Sequence, residues 1–342
     1  MRQPVGSDSE EQLISILQVL SESSEPLGAR LISRKLEKNG IFLGERGVRY
    51  HLATTDSRGY TLLTGRDGRM ITPKGRQEIK EALAPQQLGF IREKLEILAY
   101  QTTFNPEKRA GLLPVNTSLI NKTHFKKAIL AMKNAFKTGI CVSDLVAIAS
   151  EGEKLGSVVI PEGKIGISTV SSTVLNGVLL HSGITSEYQF GGLLEIRKFT
   201  PKRFVAIIEY SSTSLDPSEQ FIRAGMTSIG ETVRTGNGKI LGEFRTVTAS
   251  AREVIEEKID LLKGVGIGGI STLGKISEQV CQVHVGLNRI GIVQLGGLNP
   301  IAAATEVGIE IDNTAESGLI EFERLRSFWQ IYSAHPLPRN NP

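Results

Sequence analysis

Apolar side chains recur three and four residues apart in the first part of the chain, which is the period of an amphipathic helix. This pattern predicts three helices, over residues 11–20, 28–38 and 45–52. Two short apolar segments joined by a Gly-containing turn follow and predict a hairpin, with strands at 59–63 and 69–72. Three helices and a hairpin in this order are typical of a winged helix-turn-helix domain, which we place at residues 10–80.

The remainder of the chain repeats one order of elements twice. The strand-like segment KIGI begins at Lys164, and its counterpart RIGI begins 125 residues later at Arg289. Around each segment the pattern predicts an amphipathic helix, a glycine turn, the apolar strand, a small-residue loop, a second helix and a closing strand. The sequence therefore predicts a mixed α/β body made of two related lobes, at 91–200 and 203–330, with a ligand cleft between them.

Positive charge is concentrated in the predicted winged helix. Residues 30–76 contain eleven Lys and Arg against four Asp and Glu, a net charge of +7, whereas the whole chain carries +4. A local basic excess of this kind favours a module that binds a polyanion. The alternative is a solvated helix with ordinary surface charges, but the order of elements favours DNA. The residues assigned to the DNA surface are Arg46, Arg49, Tyr50 and His51 on the third helix, and Arg66 and Arg69 on the hairpin.

Composition excludes several other classes of protein. The 342 residues are 40% hydrophobic and 22% charged, which excludes a largely disordered chain. No apolar run approaches the ~20 residues that span a bilayer, and the polar N-terminus does not resemble a secretory signal. The two cysteines, Cys141 and Cys281, lack metal-site spacing, so we expect no metal and a cytoplasmic, reducing compartment.

One glycine-rich segment has the letters of a dinucleotide-binding motif. Residues 264–269 read GVGIGG, but the motif requires a strand before it and a helix after it. The preceding segment, 252–263, is a strong predicted helix, and the counterpart of the motif in the first repeat keeps one glycine only. We therefore interpret this segment as a helix-to-strand turn and reject a nucleotide site.

The loops that follow the two repeated strands are better candidates for a ligand site. Both are small and polar and lead into a helix, where free backbone N–H groups and the helix dipole favour a carboxylate or phosphate. Simple capping of those helices is the alternative, and the two roles are compatible. Cys141 is added because it breaks the internal symmetry, although an inert core thiol is the more ordinary role. The candidate effector-binding residues are Cys141, Thr169, Ser171, Ser172, Gly296, Gly297 and Asn299.

Catalytic patterns do not emerge from the sequence. We find no pair of carboxylates, no Ser/His/Asp order and no metal-ligand cluster that recurs in both lobes, and His181 and His284 are interpreted as structural. The sequence therefore predicts a protein that is not an enzyme and that needs no cofactor.

Three segments together resemble a known family. ERGVRYHL (45–52), KIGISTVSSTVLNGVLLHSGI (164–184) and RIGIVQLGGLNPIAAATEVGI (289–309) resemble the NrpR family of archaeal nitrogen-regulation repressors, over about residues 10–330. The resemblance implies a repressor of nitrogen-fixation and nitrogen-assimilation genes that binds palindromic operator DNA as a dimer. It also implies release from DNA when 2-oxoglutarate binds the body, and a second subunit of the family that lacks the DNA-binding domain as a partner.

Two other functions remain open at this stage. The chain could be a DNA-tethered corepressor or scaffold whose body recruits transcription factors, in which case no small molecule binds the body. An enzyme fused to a DNA-binding module, as in biotin ligases that repress their own operon, is the second alternative. The glycine-arginine adenylate motif of those ligases is missing from this sequence.

Overall fold

The computed structural model describes residues 7–23, 25–65, 68–83 and 89–334. These residues form two compact units, of which the second begins at Gly89. Within the described ranges, every helix is too short or too polar to cross a membrane.

The first unit consists of four helices and a two-stranded hairpin. Its helices are α1 Ser7–Ser21, α2 Ala29–Lys38, α3 Glu45–Ser57 and α4 Pro73–Leu83. Its strands, β1 Thr61–Thr64 and β2 Gly68–Ile71, pair antiparallel. The order of elements confirms the predicted winged helix, followed by a fourth helix.

The apolar spacing that predicted these helices also makes their core. Ile16 and Leu20 of α1 pack with Ile32 of α2 and with Val48 and Leu52 of α3, and all five are buried. Helix α3 runs five residues beyond its predicted end, although its last turns, ATTDS, are polar. The extension is stabilised from within, because the hydroxyl of buried Thr55 bonds to the Thr61 hydroxyl at the start of the hairpin.

The second unit contains eight helices and twelve strands among its described residues. The helices are α5 Phe90–Gln101, α6 Phe125–Lys137, α7 Thr173–His181, α8 Pro217–Arg223, α9 Ile229–Thr235, α10 Arg252–Gly264, α11 Asn299–Glu306 and α12 Phe328–Ala334. The strands are β3 Leu112–Asn121, β4 Leu145–Ala149, β5 Lys154–Leu155, β6 Val158–Val159, β7 Lys164–Val170, β8 Ser186–Arg197, β9 Thr200–Glu209, β10 Gly238–Thr248, β11 Ile270–Ile276, β12 Arg289–Leu295, β13 Ile311–Glu321 and β14 Arg326–Ser327.

Two antiparallel five-stranded sheets organise this unit. One has the order β13-β3-β7-β4-β14 and the other the order β9-β8-β10-β12-β11. The two repeats identified in the sequence supply equivalent strands to equivalent places, since β7 and β12 are the repeated KIGI and RIGI segments. The mixed α/β class of the body is therefore confirmed.

The closing strand of each repeat lies in the sheet of the other repeat. Strand β8, from the first repeat, pairs with β10, and β13, from the second repeat, pairs with β3. The predicted lobe boundary at 200–203 consequently falls inside the β8–β9 hairpin, where Arg197 pairs with Thr200. The lobes expected at 91–200 and 203–330 are thus joined by an exchange of strands that the repeat alone did not indicate.

This exchange brings helices from different repeats together. Helix α6 of the first repeat packs against α11 of the second, and α7 packs against α10 in the same crossed manner. One apolar cluster surrounds the first pair, with Met132 and Ile301 fully buried, and another surrounds the second pair, with Leu179 and Ile255 fully buried. Both cores therefore contain residues of both repeats.

Candidate nucleic-acid interface and candidate effector site

Helix α3 presents a polar and basic face to solvent. Burial of Val48 and Leu52 fixes the rotation of the helix, and Arg46, Arg49 and Tyr50 consequently point outward. The Tyr50 side chain is 69% exposed. These are the side chains expected of a recognition helix, in which arginine reads guanine and tyrosine reaches sugar or phosphate.

Arg49 forms an exposed ion pair on this face. Its Nη2 lies 2.6 Å from Oε1 of Glu45, one helical turn earlier. A solvated pair of this spacing contributes a few tenths of a kcal/mol, about 0.3–0.5. The guanidinium can therefore exchange Glu45 for a nucleic-acid acceptor at little cost.

His51 does not belong to the exposed face, and this assignment needs correction. The residue is only 6% exposed, and its Nε2 lies 3.1 Å from Oε1 of Gln12 on α1. Burial lowers the pKa of the imidazole, which favours the neutral ring. His51 adjoins Leu52 on the inward sector of the helix, so it joins α3 to α1 rather than contacting DNA.

The two hairpin arginines have different outcomes. Arg66 lies outside the described residues. Arg69 is on β2, where its Nε donates to Oδ2 of Asp56 at 3.0 Å, and its side chain is mostly buried. Oδ1 of the same carboxylate accepts from the Thr61 hydroxyl. Arg69 thus has a structural role, in which it ties the hairpin to the end of α3, and its contact with phosphate stays a prediction.

Helix α2 adds a basic surface that the residue assignments overlooked. Four of its side chains are cationic and exposed: Arg30, Arg34, Lys35 and Lys38. Phe42 is 84% exposed in the segment that joins α2 to α3. The signal was present in the charge count over residues 30–76, which includes these four residues as well as those of α3.

In the second unit, the two loops selected from the sequence meet each other. A Cβ atom on Gly297 would lie 2.6 Å from the carbonyl oxygen of Val170, at the end of β7, and 2.5 Å from Nδ2 of Asn116. The Gln294 amide on β12 donates to the carbonyl oxygen of Ser172 at 3.1 Å. Glycine at 297 thus permits a backbone approach that any side chain would block.

The serines of the first loop face buried carboxylates. Ser171 donates its hydroxyl hydrogen to Glu316 on β13, and Ser172 donates to Oε1 of Glu243 on β10 at 2.6 Å. The Ser171 oxygen also accepts from the Thr173 backbone N–H at 3.0 Å, so it caps the start of α7. All of these residues are buried. Capping and contact with a polar interior therefore occur in the same residues.

Arg245 is the centre of this polar interior. Its side chain is fully buried, and its Nη2 lies 2.7 Å from Oε2 of Glu243. Its Nη1 donates to the side-chain oxygen of Asn176 on α7, and the guanidinium lies over the Tyr188 ring at 5.1 Å. Glu243, Arg245 and Glu316 were absent from the sequence assignments. The available signal was the pair of charges two residues apart in the apolar strand GKILGEFRTVT.

Several buried polar side-chain atoms of the body lack a hydrogen-bond partner among the described residues. Most buried polar atoms in proteins are satisfied, because leaving one unpaired costs about 1–3 kcal/mol. Ordered water or a polar ligand can satisfy such atoms. Among the described residues, these atoms are Thr169 Oγ1, Thr173 Oγ1, Asn176 Nδ2, Arg245 Nε, Gln294 Oε1 and Glu316 Oε2.

Two carboxyl groups near this site are strongly shifted. Burial raises the pKa of Glu316 to about 8, with the nearby charges of Glu243 and Asp216 adding to the effect. Burial likewise raises the pKa of Asp216 to about 7, with Glu219 adding to it. Protonated carboxyl groups have an O–H that can donate to an anion, so near neutral pH the site can accept a negatively charged ligand.

A surface cavity reaches the edge of this site. It has a volume of about 270 Å³ and lies between α5, α7 and β8. Asn176 lines this cavity and also bonds to Arg245, so the cavity leads toward the buried cluster. Its polar and charged lining consists of Arg92, Glu96, Asn176, Thr185, Ser186, Glu187 and Tyr188.

The other predicted effector residues have structural roles. Both ends of the Asn299 amide bond to the backbone of Leu241, so no polar atom of that side chain is free. Gly296 packs against the same residue, since a Cβ there would lie 2.7 Å from the Leu241 Cβ. Cys141 packs in the apolar core around α6, and burial raises its pKa to about 12, so the thiol stays neutral. These three residues therefore have packing roles in this structure, and their contact with an effector stays a prediction.

This chain joins a winged-helix unit to a mixed α/β body that contains a buried polar site. These features are typical of winged-helix transcription regulators. Residues 88–327 match the family described as NrpR regulatory domains NRD1 and 2. Residues 14–79 match the ribonuclease R winged-helix domain. The global nitrogen regulator NrpRI of Methanosarcina mazei is 38% identical over 93% of this chain and 98% of its own length. The chain belongs to the NrpR family of nitrogen regulators.

Other relatives match with less complete coverage. The global nitrogen regulator NrpR of Methanocaldococcus jannaschii is 30% identical over 93% of this chain, and that of Methanococcus maripaludis is 29% identical over 90%. The chain spans about half the length of these two relatives, 55% and 53%. A crystal structure of a nitrogen repressor-like protein from Methanococcus jannaschii is 29% identical, with a TM-score of 0.59, and covers 69% of this chain and 97% of its own.

Proposed function

We propose that this protein represses nitrogen-fixation and nitrogen-assimilation genes by binding their operators, and that 2-oxoglutarate releases it. The proposal rests on one observation: the same chain contains an exposed face formed by Arg46, Arg49 and Tyr50 and a regulatory region of the NrpR type. The relatives described above are named as global nitrogen regulators, which supports this choice of target genes. The function is regulatory, and we assign no reaction to it.

DNA recognition in this proposal uses α3 as the helix that enters the major groove. Arg46 and Arg49 read base edges, while the exposed cations of α2 lie near the backbone phosphates. Two copies bind the two halves of a palindromic operator, because a symmetric dimer matches a symmetric site.

Effector recognition in this proposal uses the buried cluster around Arg245. A dicarboxylate such as 2-oxoglutarate needs cationic and hydrogen-bond donors, which the Arg245 Nε, the Asn176 Nδ2 and the hydroxyl of Thr173 can supply. Protonated Glu316 adds a donor and avoids repulsion. Because the cluster joins strands of both repeats, filling it favours one arrangement of the body, and a ligand that prefers this arrangement shifts the population away from the DNA-bound state.

The test is a titration of operator binding. Duplex DNA from upstream of a nitrogen-assimilation gene is bound to the full chain in a gel-shift assay, and 2-oxoglutarate is added, with and without a partner subunit of the family. We expect the apparent Kd for DNA to rise at least about tenfold, which corresponds to about 1.4 kcal/mol. Succinate and glutamate serve as control ligands. Operator binding that stays constant at saturating 2-oxoglutarate, in both settings, contradicts the proposal.

A variant locates the effector site. Asn176→Ala removes a buried donor at the boundary of cavity and cluster, and we expect it to weaken the response to 2-oxoglutarate without changing DNA binding in its absence. Asn134→Ala, an exposed asparagine on α6, is the matched control. If Asn176→Ala responds to 2-oxoglutarate as the wild type does, the effector does not bind at the Arg245 cluster. That result would not contradict the proposed repressor function.

A further inference from the structure

The strand β9 is an uncovered edge of its sheet. It pairs with β8 on one side, and no other strand among the described residues pairs with its outer side. From Arg203 to Glu209 its side chains alternate between exposed and half-buried. The exposed set includes two large apolar residues, Val205 at 40% and Ile207 at 51% exposure. An apolar, unpaired edge of this length is a template for strand pairing.

The other sheet edges are shorter or covered. Strand β14 has two residues and β11 has seven, against ten in β9. Strand β13 is flanked by side chains of other elements, since Glu219 accepts from the Ala315 N–H and Lys94 donates to the Ala315 carbonyl. Strand β9 has protective features of its own, since Pro201 and Lys202 stand at its start and its pairing with β8 shifts register twice, with Val205 opposite no residue of β8. The alternation of exposed and half-buried side chains nevertheless continues from Arg203 to Glu209.

We propose that β9 pairs antiparallel with β9 of a second copy of this chain, about a two-fold axis at Ala206. In that register, Arg203 of each copy lies opposite Glu209 of the other, and Val205 lies opposite Ile207. Opposite charges meet at both ends and apolar side chains meet near the axis, so the strand is complementary to itself. The two neighbouring symmetric registers would pair a charged residue with an apolar one, either Arg203 with Ile207 or Val205 with Glu209. The register centred on Ala206 avoids both mismatches and is therefore favoured.

The first test places positive charge at the paired edge of the full chain. Val205→Lys with Ile207→Lys gathers four lysines near the axis, and both positions are exposed, so the fold of each copy is retained. We expect the wild type to sediment as a dimer and the double variant to have a dimer Kd raised roughly 100-fold. Ile276→Lys, at a similarly exposed position on the opposite edge strand β11, is the control and should remain dimeric. A monomeric wild type or a double variant that dimerises normally overturns the proposal.

The second test reads the register directly. Arg203→Glu alone and Glu209→Arg alone each create like-charge pairs at both ends and should weaken the dimer. When these two single variants are mixed, every end pair joins opposite charges, so a mixed dimer should form with nearly wild-type affinity. Misfolding cannot produce this rescue. Absence of a mixed dimer contradicts the register centred on Ala206.

These outcomes are separate from those of the proposed function. If Ile276→Lys breaks the dimer and the β9 variant does not, the interface lies at β11. If β9 binds only a different regulatory subunit, the wild-type chain alone is monomeric. Either result overturns the inference about β9 while the titration of operator DNA with 2-oxoglutarate still reports on repression. Conversely, a β9 dimer that ignores 2-oxoglutarate supports the interface and counts against the effector mechanism.

Discussion

Two Arg–Glu pairs in this protein have similar distances and opposite surroundings. On α3, Arg49 and Glu45 are separated by 2.6 Å at the surface, with side chains 65% and 42% exposed. In the body, Arg245 and Glu243 are separated by 2.7 Å, and their side chains are 0% and 9% exposed. Water screens the first pair, so it contributes little to folding and remains available to another partner. The second pair is desolvated, so each charge is compensated only by nearby protein groups, chiefly its partner.

In the proposed function, the first pair belongs to the surface that binds DNA and the second to the interior that binds the effector. Giving up the Glu45 contact would cost Arg49 little, since that pair is solvated. An anion at Arg245 would instead compete with Glu243 and Asn176, and so would alter contacts between β10 and α7. The following predictions start with the largest expected effect.

Removal of the buried guanidinium should be the most damaging change. Arg245→Met leaves Glu243 buried without its cation, and we expect the free energy of unfolding of the body to fall by about 3–5 kcal/mol. Urea denaturation followed by circular dichroism measures this loss. Adding Glu243→Gln removes the second charge and should restore more than half of it. Equal stability of Arg245→Met and wild type would show that the pair is not desolvated.

Stability should fall as pH rises through the neutral range. Burial raises the pKa of Asp216 to about 7 and of Glu316 to about 8, whereas both titrate near 4 when unfolded. The folded state therefore holds more protons, and its added stability is full below about pH 4 and lost as pH passes 7 and 8. Between pH 6 and 8.5 we expect the free energy of unfolding to drop by about 2–4 kcal/mol.

Glu316→Gln identifies the groups responsible for that slope. This variant cannot titrate, so the pH dependence measured by urea denaturation should decrease by close to one proton. Glu45→Gln, which changes an exposed carboxylate, serves as the control and should leave the slope unchanged. A wild-type stability that is flat from pH 6 to 8.5 is the contrary result.

Loss of the exposed arginine should affect DNA and spare the fold. For Arg49→Ala we expect operator affinity to fall by about 1–3 kcal/mol, or roughly 5- to 150-fold, with 2-oxoglutarate binding retained. Arg92→Ala is the matched control, because Arg92 forms an exposed pair of the same spacing with Glu96 on α5. Fluorescence anisotropy with operator DNA measures the affinity. Equal losses of operator affinity in Arg49→Ala and Arg92→Ala would contradict the proposal that α3 is the recognition helix.

The smallest expected effect is on the stability of the exposed pair itself. Glu45→Gln should change the free energy of unfolding by less than ~0.5 kcal/mol, as is usual for solvated pairs one turn apart. Glu96→Gln on α5 should behave alike. A loss above 1 kcal/mol in Glu45→Gln alone would mean that α3 depends on its surface pair, and the contrast with the buried pair would disappear.

Local periodicity was sufficient for the winged helix. Its helices bury side chains at the spacing of three and four residues that the sequence displays, and its hairpin pairs neighbouring segments. The same reasoning misplaced His51, because a helix buries a sector about 100° wide whose border is not marked in the sequence. Arg69 was misjudged for a related reason, since an arginine near a turn looks exposed until its partner, Asp56, is known.

The body shows where periodicity stops being informative. The repeat located the loops that meet at Gly297, but the partner of each closing strand is a long-range choice that a period of two residues does not encode. The Arg245 cluster was missed because polar residues in a strand resemble solvent-facing positions. Only the structure shows that both faces of β10 are covered, which leaves Glu243 and Arg245 inside.

The exchange of closing strands bears on how this body arose. If a single repeat once existed as a separate chain, its last strand would have had to leave its own sheet and complete that of a sister molecule, as in domain swapping. Joining two such sisters end to end yields the present arrangement, in which neither half holds a whole sheet. The ancestral association surface would then survive as the interior that now contains Arg245, so the interior proposed as the effector site would descend from contact between two chains.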